Sequence, residues 1–461
     1  MTATEGRCVV RGGRVVGPDG IRAADVVITG ERIAAVVAPG AGAAAGGRTI
    51  DAAGLLVLPG AIDGHVHFRD PGFPAKEEIA TGSAAAVAGG ITTAIEMPNT
   101  DPPTIDLASA RAKAERIAGR SRCDIALLAA VTDATLDAIV PLARSGLVVG
   151  FKAFLAPTTG GIPTPSDATL RTAMVRIRDL GMRLAVHAED GERIALETAA
   201  LRAAGRTDPL AHLESRPAAS EVAAIDRIGR LAVEAGCPVH VLHLSSAPGL
   251  AALGRWRAAG ARLTAEVTPQ HCFLDAAEMP ATGATMRVNP PVRHAAEGHA
   301  AALLAALADG RIATIGSDHA PHTPEEKAAA SIWDAPSGFS GVETLLALFL
   351  THGVAAGRLR PEDLARALGA ATADTWGLAP RKGRVAPGAD ADLTLVDPAR
   401  PGAIDPARLH GRTNVTPFAG TRTSGAAVLA LLRGRVVMEE GEPVGPPSGR
   451  LIGPGGEPAP L

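Results

Sequence analysis

Tyrosine is absent from this 461-residue chain, and lysine and cysteine are scarce. The four cysteines, Cys8, Cys123, Cys237 and Cys272, are scattered and form no C-x-x-C pair. That spacing excludes a disulfide framework and leaves free thiols as the expectation. No apolar run reaches the roughly 18 residues that cross a bilayer, so no membrane partner is expected. Met1–Glu5 lacks the basic start and apolar core of a secretory leader. Together these point to a cytoplasmic protein. The net charge is only −3, which gives nucleic acid no bulk electrostatic attraction. Lysine occurs at positions 76, 113, 152, 327 and 382 alone, so 40 of the 45 basic residues are arginine. A lysine inside an apolar strand of such a chain calls for a chemical explanation.

The length fits a barrel-sized domain plus something smaller. Both ends read as short strands with Gly- and Asp-containing turns. Cys8–Arg11, Arg14–Val16, Ala24–Ile28 and Arg32–Val37 lie at one end, and Ala391–Val396, Ala426–Leu432 and Val436–Met438 at the other. Neither end can bury a core alone, so residues 1–53 and 383–461 are expected to pair into one small β-sandwich domain. Between them, apolar runs begin near Leu55, Ile91, Ile125, Val148, Leu184, Val239, Leu263 and Ile312, with Ala-rich helical stretches between. Val222, Ile225, Ile228, Leu231 and Ala232 keep helical spacing, and Gly236 follows where a helix-ending glycine belongs. Eight β–α units over residues 54–382 point to a (β/α)8 barrel of the TIM type, with a doubly wound open sheet as the competing architecture.

A barrel of this kind carries its chemistry at the C-terminal ends of its strands. Asp63-Gly64-His65-Val66-His67-Phe68-Arg69-Asp70-Pro71-Gly72 closes the first run, and its two histidines at i and i+2 share one strand face. His187 ends the fifth run, His243 the sixth and Asp318 the eighth, while Lys152 sits among apolar neighbours in the fourth. Four imidazoles, an amine and a carboxylate at one rim form a donor set for divalent metal. Lys152 reads in two ways. Burial favours its neutral amine, which can add carbon dioxide and become a bridging carbamate. The alternative is an ion pair with Asp318 or Glu189. His240 is expected to pack on the opposite strand face. His271 lies near the site with its role open, and His212, His294, His299, His352 and His410 are expected to be solvated. Asp318 suits proton transfer in hydrolysis of an amide-like C–N bond.

These residues resemble the opening signature of the cyclic-amide hydrolase branch of the amidohydrolase superfamily. Gly89-Gly90-Ile91-Thr92-Thr93 leading to Met97-Pro98-Asn99-Thr100, then Asn289-Pro290-Pro291-Val292-Arg293 and Asp318-His319-Ala320-Pro321-His322, resemble dihydroorotases most closely within it. The resemblance implies two divalent ions, Zn²⁺ fitting the donor set. His65, His67 and Asp318 would hold one ion, His187 and His243 the other, and carbamylated Lys152 would bridge them. It also implies that Arg69, Asn99 and His322 bind a substrate carboxylate, that Asn289 contacts the ring, and that Pro336–Gly341 lines the ring pocket. Three departures stand out: Phe151-Lys152-Ala153-Phe154 in place of an Asp-Asp-Gly segment, glutamine at 270, and a loop with Thr158 and Thr159 that matches no dihydroorotase lid. The readings are therefore a dihydroorotase of pyrimidine synthesis acting on a small molecule, an allantoinase or hydantoinase-type cyclic amidase, and a non-catalytic scaffold barrel. Relatives of this kind imply a homo-oligomer.

Overall fold

A computed structural model describes residues 6–42 and 47–460. Met1–Glu5, expected not to be a secretory leader, lies outside them. Strands β1 (Arg7–Gly17), β2 (Gly20–Thr29), β3 (Arg32–Val37), β4 (Arg48–Asp51) and β5 (Leu56–Pro59) come first. They join β14 (Leu393–Ala403), β15 (Arg422–Leu432), β16 (Arg435–Glu439) and β17 (Glu442–Pro443) in one nine-stranded sheet from both ends of the chain. Two of the N-terminal runs are a single strand, β1, whose pairing with β2 shifts register between Val10 and Gly13. A bulge absorbs the extra residues, so the turn expected there is a kink within the strand. Val10, Val26, Ile28, Ile33, Val57, Leu393, Leu395 and Leu431 form this sheet's own core.

Eight strands form the second sheet: β6 (Ala61–Val66), β7 (Ile91–Glu96), β8 (Asp124–Ala130), β9 (Val148–Phe154), β10 (Leu184–His187), β11 (Val239–Val241), β12 (Leu263–Val267) and β13 (Thr314–Ile315). All neighbours pair in parallel, from β6 across to β13. A parallel bridge between Val66 and His319 brings the last strand's end back to the first. The result is a (β/α)8 barrel, and the open doubly wound sheet is excluded. The apolar run from Leu55, expected as one barrel strand, divides. Leu56–Pro59 pairs with β1 and β14 in the outer sheet, and only Ala61–Val66 enters the barrel. Both halves are buried throughout, so hydrophobicity alone could not show the boundary between them.

The helix Ala218–Ala235 turns Ala224, Ile225, Ile228, Leu231 and Ala232 inward and ends at Gly236 with φ 65°. It packs on the barrel wall, as its periodicity requires. No helix among the described residues is long and apolar enough to cross a membrane.

Candidate metal centre and substrate pocket

The barrel rim gathers the six side chains expected to hold metal. His65 Nε2 lies 3.4 Å and His67 Nε2 3.3 Å from Asp318 Oδ1. Donor atoms of these three residues all fall within 4.8 Å of one another. His187 Nδ1 and His243 Nε2 are 3.1 Å apart. Lys152 Nζ sits 3.2 Å from His65 Nε2 and 4.5 Å from the centre of the Phe154 ring. It forms an ion pair with neither Asp318 nor Glu189; Glu189 is held by Arg216 and His187. One cavity is walled by all six, together with Arg69, Asn99, Phe154, Thr158, Thr159, Asn289, Ala320, Ser337 and Gly338.

Backbone geometry at the rim is unusual. Arg69, His243 and Asp318 have φ of 59°, 38° and 51°. The left-handed region is costly for such side chains and persists where the surroundings enforce it, commonly at functional sites. Asp63 supplies part of that enforcement. Its Oδ1 accepts from the backbone N–H of His65 at 3.0 Å and of Ser317 at 2.9 Å, pinning the first and last strand ends together.

A second layer orients the imidazoles. Glu266 Oε1 lies 3.0 Å from His65 Nδ1, so the opposite nitrogen faces Asp318 and Lys152. Glu189 Oε2 lies 2.8 Å from His187 Nε2 and turns Nδ1 toward His243. Such carboxylate partners fix ligand tautomer and ring direction. Glu266 has room because its neighbours on β6 and after β13 are glycines. A Cβ on Gly64 would stand 2.9 Å from its Oε2, and one on Gly316 would collide with it outright. Asp63, Glu189, Glu266 and Arg216 were not singled out for these roles in the sequence. Glu266 carried a readable signal, a carboxylate inside the apolar run Leu263–Val267, of the same kind that marks Lys152.

Charge follows burial. Desolvation, with Lys152 next in order, pushes His65 and His67 well below the ordinary imidazole range, and desolvation with His187 does the same to His243. Neutral imidazoles are the form that ligates metal. Burial drives the Lys152 amine down to about 8 against the pull of Asp318, Glu266 and Glu96. Burial raises the Asp318 carboxyl to about 7, with Lys152 and Arg69 opposing. Burial also opposes ionisation of Glu189, yet Arg216 and His187 hold its carboxyl down at about 2.

The substrate-side residues divide. Arg69, Asn99 and Asn289 line the cavity, whereas His322 stands behind its wall, fully buried against Arg69 and Ser337. Arg69 is 1% exposed, and its Nη1 has no hydrogen-bond partner. Asn99 donates from Nδ2 to Thr159 O at 3.1 Å, and its Oδ1 is free. The Thr158–Thr159 segment is thus part of the wall.

Other histidines depart from expectation. His212 is 1% exposed and lies 2.9 Å from Val288 O. His299 is buried with Nδ1 accepting from Ala247 N–H, and His410 is clamped between Glu343 and Glu442. Their partners lie 32 to 76 positions away in the chain, and no local pattern reports them. His240 bonds Thr264 and Thr314 and packs its edge on Trp376. His271, left open above, joins Thr268 Oγ1 at 2.8 Å to Pro290 O at 3.0 Å and so braces the Asn289 loop.

A family model described as "Amidohydrolase family" matches residues 56–437. The chain belongs to the amidohydrolase family. Among curated relatives, an allantoinase of Rubrobacter xylanophilus is 38% identical over 449 residues, covering 97% of each chain. A dihydroorotase of Halobacterium salinarum is 40% identical over 434 residues, 94% of this chain and 97% of its own. The solved L-hydantoinase (dihydropyrimidinase) from Arthrobacter aurescens superposes with a TM-score of 0.92 at 34% identity, covering 95% of this chain and 97% of that one. This amidohydrolase is therefore an enzyme, and the scaffold reading is set aside.

Proposed function

We propose that this amidohydrolase is a dihydroorotase, opening dihydroorotate to N-carbamoyl-aspartate and closing it again. The observation that carries the reading is Arg69. It is a buried guanidinium in the cavity wall whose Nη1 has no partner, and burial lowers it only to about 10, so it stays cationic at neutral pH. A buried unpaired cation is costly unless a ligand completes it. A ring carboxylate is the complement of a guanidinium fork.

The donor set fits two divalent cations. Its nitrogens and oxygens converge, its imidazoles are neutral, and burial lowers the Lys152 amine toward the neutral form that adds carbon dioxide. His65, His67 and Asp318 would hold one cation and His187 and His243 the other, with Lys152 as a carbamate between them and zinc the best match. Bound there, the pair would supply water activation and polarisation of the ring carbonyl at neutral pH. The protein's own groups do the rest. Arg69 grips the carboxylate, Asn99 Oδ1 takes a ring N–H, and Asn289 sets the ring's orientation. Asp318 accepts the proton of the attacking water and returns it to the ring nitrogen as the C–N bond opens. Holding a cation through one carboxylate oxygen would leave its other oxygen free for both halves of that exchange.

A second reading, allantoinase or hydantoinase activity, is favoured by the names of close relatives. Those substrates lack the ring carboxylate and leave Arg69 Nη1 without a complement. Turnover of dihydroorotate, allantoin, hydantoin and dihydrouracil by metal-loaded enzyme tests the proposal. Dihydroorotate should have the highest kcat/KM. Preference for allantoin over dihydroorotate would replace the first reading with the second.

A further inference from the structure

We infer that Lys76 is a positioning residue for substrate recognition: its ammonium sets the tautomer of His322 and thereby keeps the Arg69 guanidinium free for the substrate carboxylate. The inference rests on the carboxylate-reading role proposed for Arg69. Lys76 is not in the cavity wall; it acts from behind it.

Four groups converge on the buried His322 ring. Lys76 Nζ is 3.1 Å and Glu326 Oε2 3.4 Å from Nδ1, while Arg69 Nη2 is 3.2 Å and Ser337 O 3.1 Å from Nε2. Lys76 Nζ is itself anchored 2.8 Å from Glu326 Oε1. A neutral imidazole has one N–H and one lone pair. Burial, with Arg69 and Lys76 alongside, keeps this ring neutral. Ammonium and guanidinium are donors only, so Lys76 and Arg69 compete for the single lone pair.

The surroundings decide the competition. With the lone pair on Nδ1, Lys76 donates to it, and the Nε2–H donates to the Ser337 carbonyl. The opposite tautomer would let Nε2 accept from Arg69, but its Nδ1–H, with Glu326 Oε2 at 3.4 Å as acceptor, would stand against the nearer Lys76 N–H groups at 3.1 Å and leave Ser337 O without this donor. Lys76 therefore fixes the Nε2–H form. Arg69 Nη2 then finds no acceptor on His322. Nη1 is unpaired as well, and the guanidinium is tied only through Nε to Pro321 O at 3.3 Å. Both terminal nitrogens remain available to a carboxylate. The same Nε2–H bond holds Ser337, whose Oγ donates to Asn289 Oδ1 at 3.1 Å, so the Asn289 amide nitrogen is left to face the ring. One ammonium outside the cavity sets two contacts inside it.

Lys76→Met, compared with wild type and Lys76→Arg, tests this by two readouts. Nitrogen-15 NMR of labelled histidine in the free enzyme, with His322→Gln to assign the signal, shows which ring nitrogen carries the proton. Nε2–H is expected in wild type and in Lys76→Arg. Nδ1–H is expected in Lys76→Met, where Glu326 becomes its acceptor and Arg69 is captured by Nε2. In steady-state kinetics Lys76→Met should raise KM for dihydroorotate about tenfold or more, with kcat within about twofold, and Lys76→Arg should recover most of the loss. An unchanged Nε2–H tautomer in Lys76→Met, or a loss confined to kcat, overturns the inference. Because the NMR readout needs no substrate, the two proposals fail separately. Wild-type enzyme that ignores dihydroorotate removes the substrate reading, whereas an unmoved tautomer removes the role of Lys76.

Discussion

Lys152 is one of five lysines in an arginine-rich chain, and the other four end among carboxylates, carbonyls or an imidazole. Lys113 Nζ meets Glu96 Oε1 and Met97 O, each at 3.1 Å. Lys327 Nζ donates to Ala284 O at 3.0 Å, Arg287 O at 3.3 Å and Pro336 O at 2.9 Å. Lys382 Nζ lies 2.6 Å from Asp124, 3.0 Å from Asp390 and 2.6 Å from Asp392. Lys76 is shared between His322 and Glu326. An ammonium is compact, has three donors, and can lose its proton when buried. Lys152 alone lacks both a carboxylate partner and a carbonyl cage, which supports the carbamate proposed for it. Lys152→Ala should cut turnover by about 10²-fold or more. Short-chain carboxylic acids should restore part of it by standing in for the carbamate, measured as rate against added acid. Undiminished activity in Lys152→Ala without any acid would refute the bridging role.

At the scale of elements, the site depends on where strands stop. His65 lies within β6, while His67 and Arg69 follow its last residue, Val66. Asp318 comes three residues after the short β13. A second device ties the outer sheet, through Glu442 on β17, to Glu343. His410 N–H donates to Glu343 Oε2 at 2.8 Å, and its ring lies 2.9 Å from Glu343 Oε1 and 3.2 Å from Glu442 Oε2. Hydrogen bonding to Glu343 raises this imidazole to about 9, against desolvation. The folded pKa lies above the unfolded value of about 6.5, so the stabilisation is complete below that value and fades as pH rises through 9. Discounted for exposure, it is about 1 kcal/mol. His410→Gln should therefore lower Tm at pH 6 and leave it nearly unchanged near pH 10, as read by thermal melts. An equal loss at both would deny the charge-dependent clamp. The sequence showed the His-x-His pair, Lys152, His187, His243 and Asp318, because each terminates or interrupts a hydrophobic run. It did not show the clamp at His410, the burial of His212, or the pairing of Glu266 with His65. Those depend on partners far away in the chain, 201 positions apart in the last case.

Over the whole molecule, two sheets share one charged seam. Asp124 on β8 and Asp392 just before β14 both bond Lys382, and Arg433 after β15 pairs with Asp124. Burial within the seam is nearly complete, so its three carboxylates, which could be read as a cation site, are filled by the chain's own ammonium. The seam fixes the composite sheet against the barrel without touching the rim. Periodicity made the eight barrel strands legible, but the transfer of Leu56–Pro59 to the outer sheet was hidden, since a strand buried on both faces looks the same in either sheet. The proposed substrate preference rests on the Arg69 guanidinium, which faces the cavity of metal-ligating donors. The most direct measurement is kcat/KM for dihydroorotate and for dihydrouracil in wild type and Arg69→Met. The account predicts that Arg69→Met loses about 10²-fold or more on dihydroorotate, chiefly through KM, and far less on the neutral ring. An equal loss on both substrates, or none on dihydroorotate, would contradict it.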